Sequence, residues 1–383
     1  MDFNQAATLL NNIRKQVTGE TSIAPTNTSE FVSVATTTLQ QGYDPVIEAI
    51  SQVIARTIFS IRPYNRRFAG IQASAERWGS ITRKLSIADK DFDDDFRFEL
   101  EDGESIDMYA VNKPNILQTN FYGQNVFSKD YTIFRDQLDN AFRGPEEFGR
   151  FMSMVTQNQS DMIEQAHESM ARMTIANFVG GKVAKNADVI HLLTAYNNVT
   201  GESLTPVTVM APDNFPNFVK WMYGLIANIT AMMTERSSKY QVNITGKVVN
   251  RHTPLQRQKV YMSTDMLNAI NARVLADAYH DDFLRLSDVE SVNFWQSINS
   301  PSTLKVTPEM LQADGTIDTE EAQTIDNLIG VIFDEDALGY TVIHNWSATT
   351  PFNVKGGYWN TNHVFTERYW NDFTEKGVVL LLD

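Results

Sequence analysis

Acidic residues at metal-ligand spacing are the first feature of this sequence that could carry chemistry. Asp91-x-Asp93-x-Asp95 resembles the opening of a calcium-binding loop, in which alternate carboxylates ligate the ion. The sixth position of such a loop must be glycine to make a sharp turn, but this chain has Phe96 there. Asp102 also stands where a bidentate glutamate is needed. The sequence therefore does not predict an EF-hand.

Two further short motifs are weak signals for an enzyme or a metal site. His280-Asp281-Asp282 places a histidine beside two carboxylates, but adjacent side chains rarely point at one ion. Gly180-Gly181-Lys182 lacks the upstream glycine and the following hydroxyl of a phosphate-binding loop, and a glycine helix stop explains it better. We therefore predict no catalytic residue, no cofactor and no metal, and we interpret the chain as a non-enzyme.

Composition restricts the class of protein. The 383 residues carry 32 basic and 47 acidic side chains, and the net charge of −15 argues against a dedicated nucleic-acid-binding face. The absence of cysteine excludes disulfides and cysteine zinc sites. No apolar run approaches the roughly 20 residues of a membrane helix, and the start shows no secretory signal. We expect a soluble protein that is made in a cytoplasm.

The charge falls into two adjacent windows of opposite sign. Residues 62–84 contain six bases and one acid, a net +5, whereas residues 89–107 contain ten acids and two bases, a net −8. Within the acidic window, apolar residues alternate with Asp or Glu, which predicts a strand with one apolar face. With a turn at Glu101-Asp102-Gly103-Glu104, the pattern predicts a long charged hairpin that needs a partner surface or is a solvated flap.

The helices predicted before and after this hairpin differ in length. Residues 3–17 and 44–58 are short amphipathic patterns separated by the polar stretch 18–38. The first is interpreted either as a frayed end or as an arm that packs on a neighbouring subunit. Pro145-Glu146-Glu147 begins a third pattern, which has no proline or glycine between 151 and 179. It predicts one helix over 145–179, about 50 Å long.

From about residue 206 the pattern is mixed α/β. It predicts helices over 215–236 and 264–280, buried strands at 247–249 and 259–262, and a loop over 303–324. An acid-bounded turn at 334–336 separates two strands. The final apolar run must be held in a sheet, so we expect the first and last thirds of the chain to share one core.

Two motifs near the end resemble a known family. The segment Val331-Ile-Phe-Asp-Glu-Asp-Ala-Leu-Gly339 looks like the element that ends the apical domain of tailed-bacteriophage major capsid proteins. The string Asn353-Val-Lys-Gly-Gly-Tyr-Trp-Asn360 is similar to the Asn-x-x-Gly-x-Tyr-Trp-Asn string that precedes an aromatic strand in short-tailed phage capsid proteins. The order of elements resembles the same proteins across nearly the whole chain.

The resemblance implies an α+β Hong Kong 97-like shell fold. Its parts would be an N-terminal arm with amphipathic helices over 1–59, the start of a peripheral domain over 60–76, an extended β-hairpin loop over 77–125, the peripheral domain with its spine helix over 126–205, an apical domain over 206–350, and C-terminal peripheral-domain strands over 351–383. The hairpin would lie over an adjacent subunit.

The resemblance also implies function and partners. The chain would assemble into hexamers and pentamers of a phage head, icosahedral or prolate, around double-stranded DNA, together with portal, scaffolding or decoration proteins and no membrane. It would be made in a host bacterial cytoplasm and end in the virion. An encapsulin-like nanocompartment shell and a soluble acid/base hydrolase are the alternatives. Candidate inter-subunit contacts are Arg62, Arg66, Arg67, Arg83, Lys84, Asp91, Asp93, Asp94, Asp95, Glu99 and Glu101.

Overall fold

The structure is a computed structural model, and its elements are numbered here along the chain. It describes residues 3–19, 25–57, 68–73, 81–89, 100–105, 107–109, 111, 113–122, 124–243, 246, 249–273, 289–312 and 314–383. The helices are α1 (Phe3–Thr18), α2 (Thr28–Gln40), α3 (Tyr43–Thr57), α4 (Arg135–Ala141), α5 (Pro145–Ala184), α6 (Leu192–Thr200), α7 (Phe215–Thr234) and α8 (Thr264–Arg273). The strands are β1 (Ile81–Ile87), β2 (Ile116–Tyr122), β3 (Asn125–Phe134), β4 (Val189–His191), β5 (Gln258–Ser263), β6 (Val289–Val292), β7 (Leu304–Val306), β8 (Glu309–Leu311), β9 (Ile317–Thr319), β10 (Gln323–Ile325), β11 (Leu328–Asp334), β12 (Leu338–Thr349), β13 (Tyr358–Asn371) and β14 (Gly377–Leu381).

The N-terminal helices pack on their own chain. Leu10 and Ile13 of α1 are fully buried in one apolar cluster with Ile47 of α3 and Phe148 of α5. The interpretation of the first helix as a frayed end is therefore wrong, and its apolar face packs on its own subunit. The polar stretch 18–38 also contains the unpredicted helix α2. Asn27 caps it by accepting a hydrogen bond from the Glu30 amide at 2.9 Å.

The long helix α5 is confirmed, but it ends later than predicted. It runs for 40 residues through Gly180 and Gly181, which were expected to stop it. A Cβ on Gly181 would lie 2.5 Å from ring carbons of Phe373, and one on Gly180 would collide with Val306. The two glycines therefore allow the helix to approach its neighbours closely. The two glycines were predicted to end the helix because glycine is favoured both at helix ends and where a helix approaches its neighbours closely.

A three-stranded antiparallel sheet joins distant parts of the chain in the order β12-β13-β3. The pairing of β13 with β3 confirms that the first and last thirds share a core. The strand–turn–strand prediction around 334–336 is confirmed by β11 and β12. Along this sheet, α5 and the N-terminal helices cover Trp359, which is 2% exposed.

A five-stranded sheet has the order β4-β14-β11-β5-β6 and is packed between two apolar clusters. Its strand β14 comes from the segment 351–383, which was predicted to be peripheral, whereas β11 and β5 come from the predicted apical segment 206–350. Conversely, β12 comes from 206–350 but pairs with β13. The predicted boundary at 350 therefore does not follow the strand pairing.

The remaining predicted elements are partly confirmed. Helix α7 matches the prediction to within two residues at its end, and β5 matches its predicted strand. Helix α8 agrees over 264–273, and the rest of the prediction there lies outside the described residues. The segment 303–324 was predicted as a loop but contains short strands. They form because Leu304 and Met310 are buried against α5.

Candidate functional site at the base of the hairpin

The hairpin of β1 and β2 is a separate two-stranded antiparallel sheet, with Lys84 opposite Thr119. The predicted turn at its far end is confirmed locally, because the Glu104 amide donates to the Glu101 carbonyl at 3.0 Å and Gly103 has a φ of 97°. Of the predicted contact residues, the structure describes Arg83, Lys84 and Glu101. The others lie outside the described residues, namely Arg62, Arg66, Arg67, Asp91, Asp93, Asp94, Asp95 and Glu99.

The inward face of β1 is polar and is held by ion pairs. The Lys84 ammonium lies 2.6 Å from a carboxylate oxygen of Asp372 and 2.6 Å from one of Glu375. Both acids are almost fully buried in the loop between β13 and β14. Burial acts to lower the pKa of Lys84, but the two carboxylates outweigh it, so the pKa is raised above its ordinary value.

A second cation and a third acid extend this contact. Arg251 lies 3.4 Å from Glu375 and donates a hydrogen bond to the Ser86 hydroxyl at 2.7 Å. Asp89, just beyond β1, pairs with Arg236 and accepts from the Asn250 amide at 2.7 Å. Lys84, Ser86 and Asp89 at the hairpin base therefore bind the loops at 236–251 and 372–376.

The outward face of β1 and β2 carries exposed apolar side chains beside polar ones. Leu85 and Ile87 are each 64% exposed, and Ile116, directly opposite Ile87, is 59% exposed. Arg83, Gln118 and Asn120 lie on the same face and are exposed. Strands of soluble proteins normally place apolar side chains against the core and polar ones in solvent. The three exposed aliphatic side chains depart from this arrangement, which is typical of a surface that a partner covers.

The Asn353–Asn360 string forms the turn between β12 and β13. The Asn353 side chain accepts from the Lys355 and Gly356 amides at 3.1 and 3.0 Å, and Gly357 adopts a φ of 68°. The indole of Trp359 then donates to Asp44 of α3 at 2.5 Å. The motif thus attaches the N-terminal helices to the three-stranded sheet, which explains why these residue types occur together.

Lys182 lies in the last turn of α5 and is fully buried. Its ammonium donates to Asp188 and to the Tyr240 carbonyl, each at 3.0 Å. Burial lowers its pKa, and Asp188 opposes this only in part. In the part of the chain that the structure describes, no three His, Asp or Glu side chains form a metal-binding group. No described helix combines the length and apolar character of a membrane span.

Sequence reasoning missed the partners of Lys84. Asp372 and Glu375 are almost 300 residues away from it, and Arg251 stands in a loop with no charge pattern of its own. No local signal was available, because Asp372 and Glu375 stand in the polar turn Asn371-Asp-Phe-Thr-Glu-Lys376, whose sequence is that of an ordinary solvated loop.

Comparisons with known proteins give the fold and the family. The chain resembles a chain in the capsid structure of Staphylococcus phage Andhra with a TM-score of 0.53 and 10% identity, over 83% of this chain and 84% of that chain. It resembles a chain in the structure of head fiber and inner core protein gp22 of native bacteriophage P68 with a TM-score of 0.54 and 11% identity, over 83% and 85%. No curated protein sequence matches. The model of the Phi29-like phage major capsid protein family matches residues 10–369, and the chain therefore belongs to that family.

Proposed function

We propose that this major capsid protein forms the hexamers and pentamers of a closed head, icosahedral or prolate, that encloses double-stranded DNA. The family match over 10–369 carries this proposal. Portal, scaffolding or decoration proteins would complete the head, with the subunits made in a host bacterial cytoplasm and carrying no catalytic activity. The acidic balance of −15 is compatible with an inner wall that does not adhere to packaged DNA.

Electron microscopy of the purified chain in negative stain, with light scattering, tests this function. Closed shells or rings with five- and six-fold symmetry are the expected result. Particles from infected cells that contain DNA would support a phage head, whereas particles filled with protein would favour a nanocompartment. A uniform monomer at every salt and protein concentration would contradict assembly by the chain alone and reopen the hydrolase alternative.

Within such a shell, we propose that the hairpin lies on an adjacent subunit. Its apolar outward face supports this, because Leu85, Ile87 and Ile116 are exposed in the single chain. The acidic segment 89–107 would meet basic surface from 62–84, on the same subunit or its neighbour. Lys84 already has intrachain partners, so Arg83 is the described basic residue that remains exposed.

Reversing the charges of Asp93, Asp94 and Asp95 to lysine tests the electrostatic part. Single exposed pairs contribute about 0–1 kcal/mol each, but a network repeated over many copies sets register. We expect the variant to form no closed shells in conditions where the parent does. Normal shells from this variant would rule out the charge contact.

A further inference from the structure

The attachment of the hairpin to the rest of the chain is unusual. Among the described residues, β1 and β2 pair only with each other and share no backbone ladder with either larger sheet. A two-stranded hairpin is marginally stable in water by itself. Side chains must therefore fix its position relative to the body.

On the β2 side the packing is open. A cavity of about 600 Å³ separates the hairpin from α5, and its lining includes Asn120, Phe121, Met170, Met173 and Trp370. The rings of Phe121 and Trp370 are 6.4 Å apart between centroids. An unfilled space of this size gives few dispersion contacts. The β2 side thus leaves room for the hairpin to change its angle.

On the β1 side the hairpin is held by charge. Lys84 pairs with both Asp372 and Glu375, whose side chains are 2% and 8% exposed. Arg251 adds a second cation at Glu375. A buried carboxylate without a counter-charge is strongly disfavoured, so the lowest-energy arrangement keeps Lys84 in place. Lys84 thus joins β1 to the loop that carries Asp372 and Glu375. Arg251, from a second loop, contacts Glu375 and the Ser86 hydroxyl of β1.

We propose that Lys84, Arg251, Asp372 and Glu375 form an electrostatic lock that fixes the angle of the hairpin on its own subunit. The lock fixes the direction in which Leu85, Ile87 and Ile116 point before the subunit contacts a second copy. Opening it frees the hairpin to pivot over the cavity beneath β2. The consequence for assembly rests on the proposed function, but the lock is a property of the single subunit.

The natural absence of cysteine allows a direct test in the full chain. Spin labels at Gln118→Cys on β2 and Val199→Cys on α6, both exposed positions, report the angle as a distance distribution. We expect Lys84→Ala to widen this distribution at least twofold in the unassembled subunit. The matched control is Arg83→Ala, which removes the same charge from the adjacent, outward position. The conservative variant Lys84→Arg, which keeps a positive charge facing both acids, should retain the narrow distribution.

Equal widths for Lys84→Ala and Arg83→Ala would overturn the lock. If Lys84→Ala does not fold, Arg251→Gln serves instead, because Lys84 still pairs with both acids while one of the two cations that balance them is lost. Its hydrogen exchange over 81–87 should be at least tenfold faster than in the parent, and unchanged exchange would overturn the lock. Shell formation is scored separately by microscopy. A wide distribution with normal shells would retain the lock and reject its role in assembly.

Discussion

The five-stranded sheet and the hairpin use the same aliphatic residue types in opposite ways. Every residue of β11 is buried, including Val331 and Ile332 at 0% exposure. In β1, Leu85 and Ile87 face outward at 64% exposure, while the inward face carries Lys84. The apolar residues of the sheet are covered by its own chain, whereas those of the outward hairpin face are not. Under the proposal that an adjacent subunit covers the hairpin, folding and assembly depend on different strands of one chain.

The energies of the two regions differ accordingly. Burying an aliphatic side chain contributes about 1.5–3 kcal/mol, which the sheet gains in the single subunit and the outward face of the hairpin does not. The ion pairs of the hairpin base add little net stability, yet losing one partner of a buried pair costs about 3–5 kcal/mol. Removing side-chain volume should therefore destabilise the five-stranded sheet most. Removing a charge or a partner contact should affect the hairpin most.

The largest effect is expected from truncating the core behind the sheet. Phe178 of α5 is fully buried and stacks on Phe373 with ring centroids 5.4 Å apart. Phe178→Ala should lower the free energy of unfolding of the unassembled subunit by about 3–5 kcal/mol, measured by denaturant titration. Met173→Ala, on the same helix at a position that is 61% exposed, is the control and should change it little. Equal losses would contradict the packing described here.

A smaller loss is expected from filling the space that the long helix leaves for its neighbours. Gly181→Ala places a methyl group 2.5 Å from the Phe373 ring, and overpacking of this kind costs about 1–3 kcal/mol. Gly224→Ala on α7 is the matched control. No atom lies within 4 Å of its new Cβ, so it should stabilise the subunit by up to about 1 kcal/mol. A stabilising Gly181→Ala would show that the helix does not need this glycine.

Changes to the outward face of the hairpin should affect shell assembly and not the unfolding free energy of the subunit. Replacing Leu85 and Ile87 by serine removes exposed apolar surface, so the unfolding free energy of the subunit should change by less than about 0.5 kcal/mol. The protein concentration at which shells appear by light scattering should rise at least tenfold. Val207→Ser, at a position that is 83% exposed, is the control and should leave that concentration unchanged. Unchanged assembly by the double variant would mean that the apolar face is not a contact.

Much of this fold follows from local pattern, and the errors have a common physical cause. Helices α3 and α7 and the turn at 101–104 were predicted because their apolar spacing or turn residues act locally. Helix α2 was missed because its threonine-rich sequence is a poor helix former and is stabilised by burial of Phe31 and Ala35. The prediction that Gly180 and Gly181 end the helix was wrong because they pack against Val306 and Phe373, which come much later in the chain.

The candidate site was predictable in type but not in pairing. The run of bases that ends at Lys84 indicated charge contacts, and the described ones of Lys84 lie within its own subunit. Its acidic partners were sought in the nearest window, whereas the described structure supplies Asp372 and Glu375 from the other end of the sequence. Spatial neighbours of this kind are set by topology, which a single sequence does not contain.

The last prediction concerns the pH dependence of the hairpin base. Asp372 and Glu375 raise the pKa of Lys84 above its ordinary value despite its burial. A lysine of this kind contributes stability that is complete below its unfolded-state pKa and is lost as pH rises through the folded-state pKa. The difference in unfolding free energy between the parent and Lys84→Met should therefore stay constant from about pH 7 to 9.5 and shrink as pH rises beyond the ordinary lysine pKa of about 10.4. Arg83→Met, which removes a charge from the adjacent outward position, is the control. A Lys84→Met difference that does not change with pH over the alkaline range would show that packing of the lysine stem, and not its charge, holds the hairpin base.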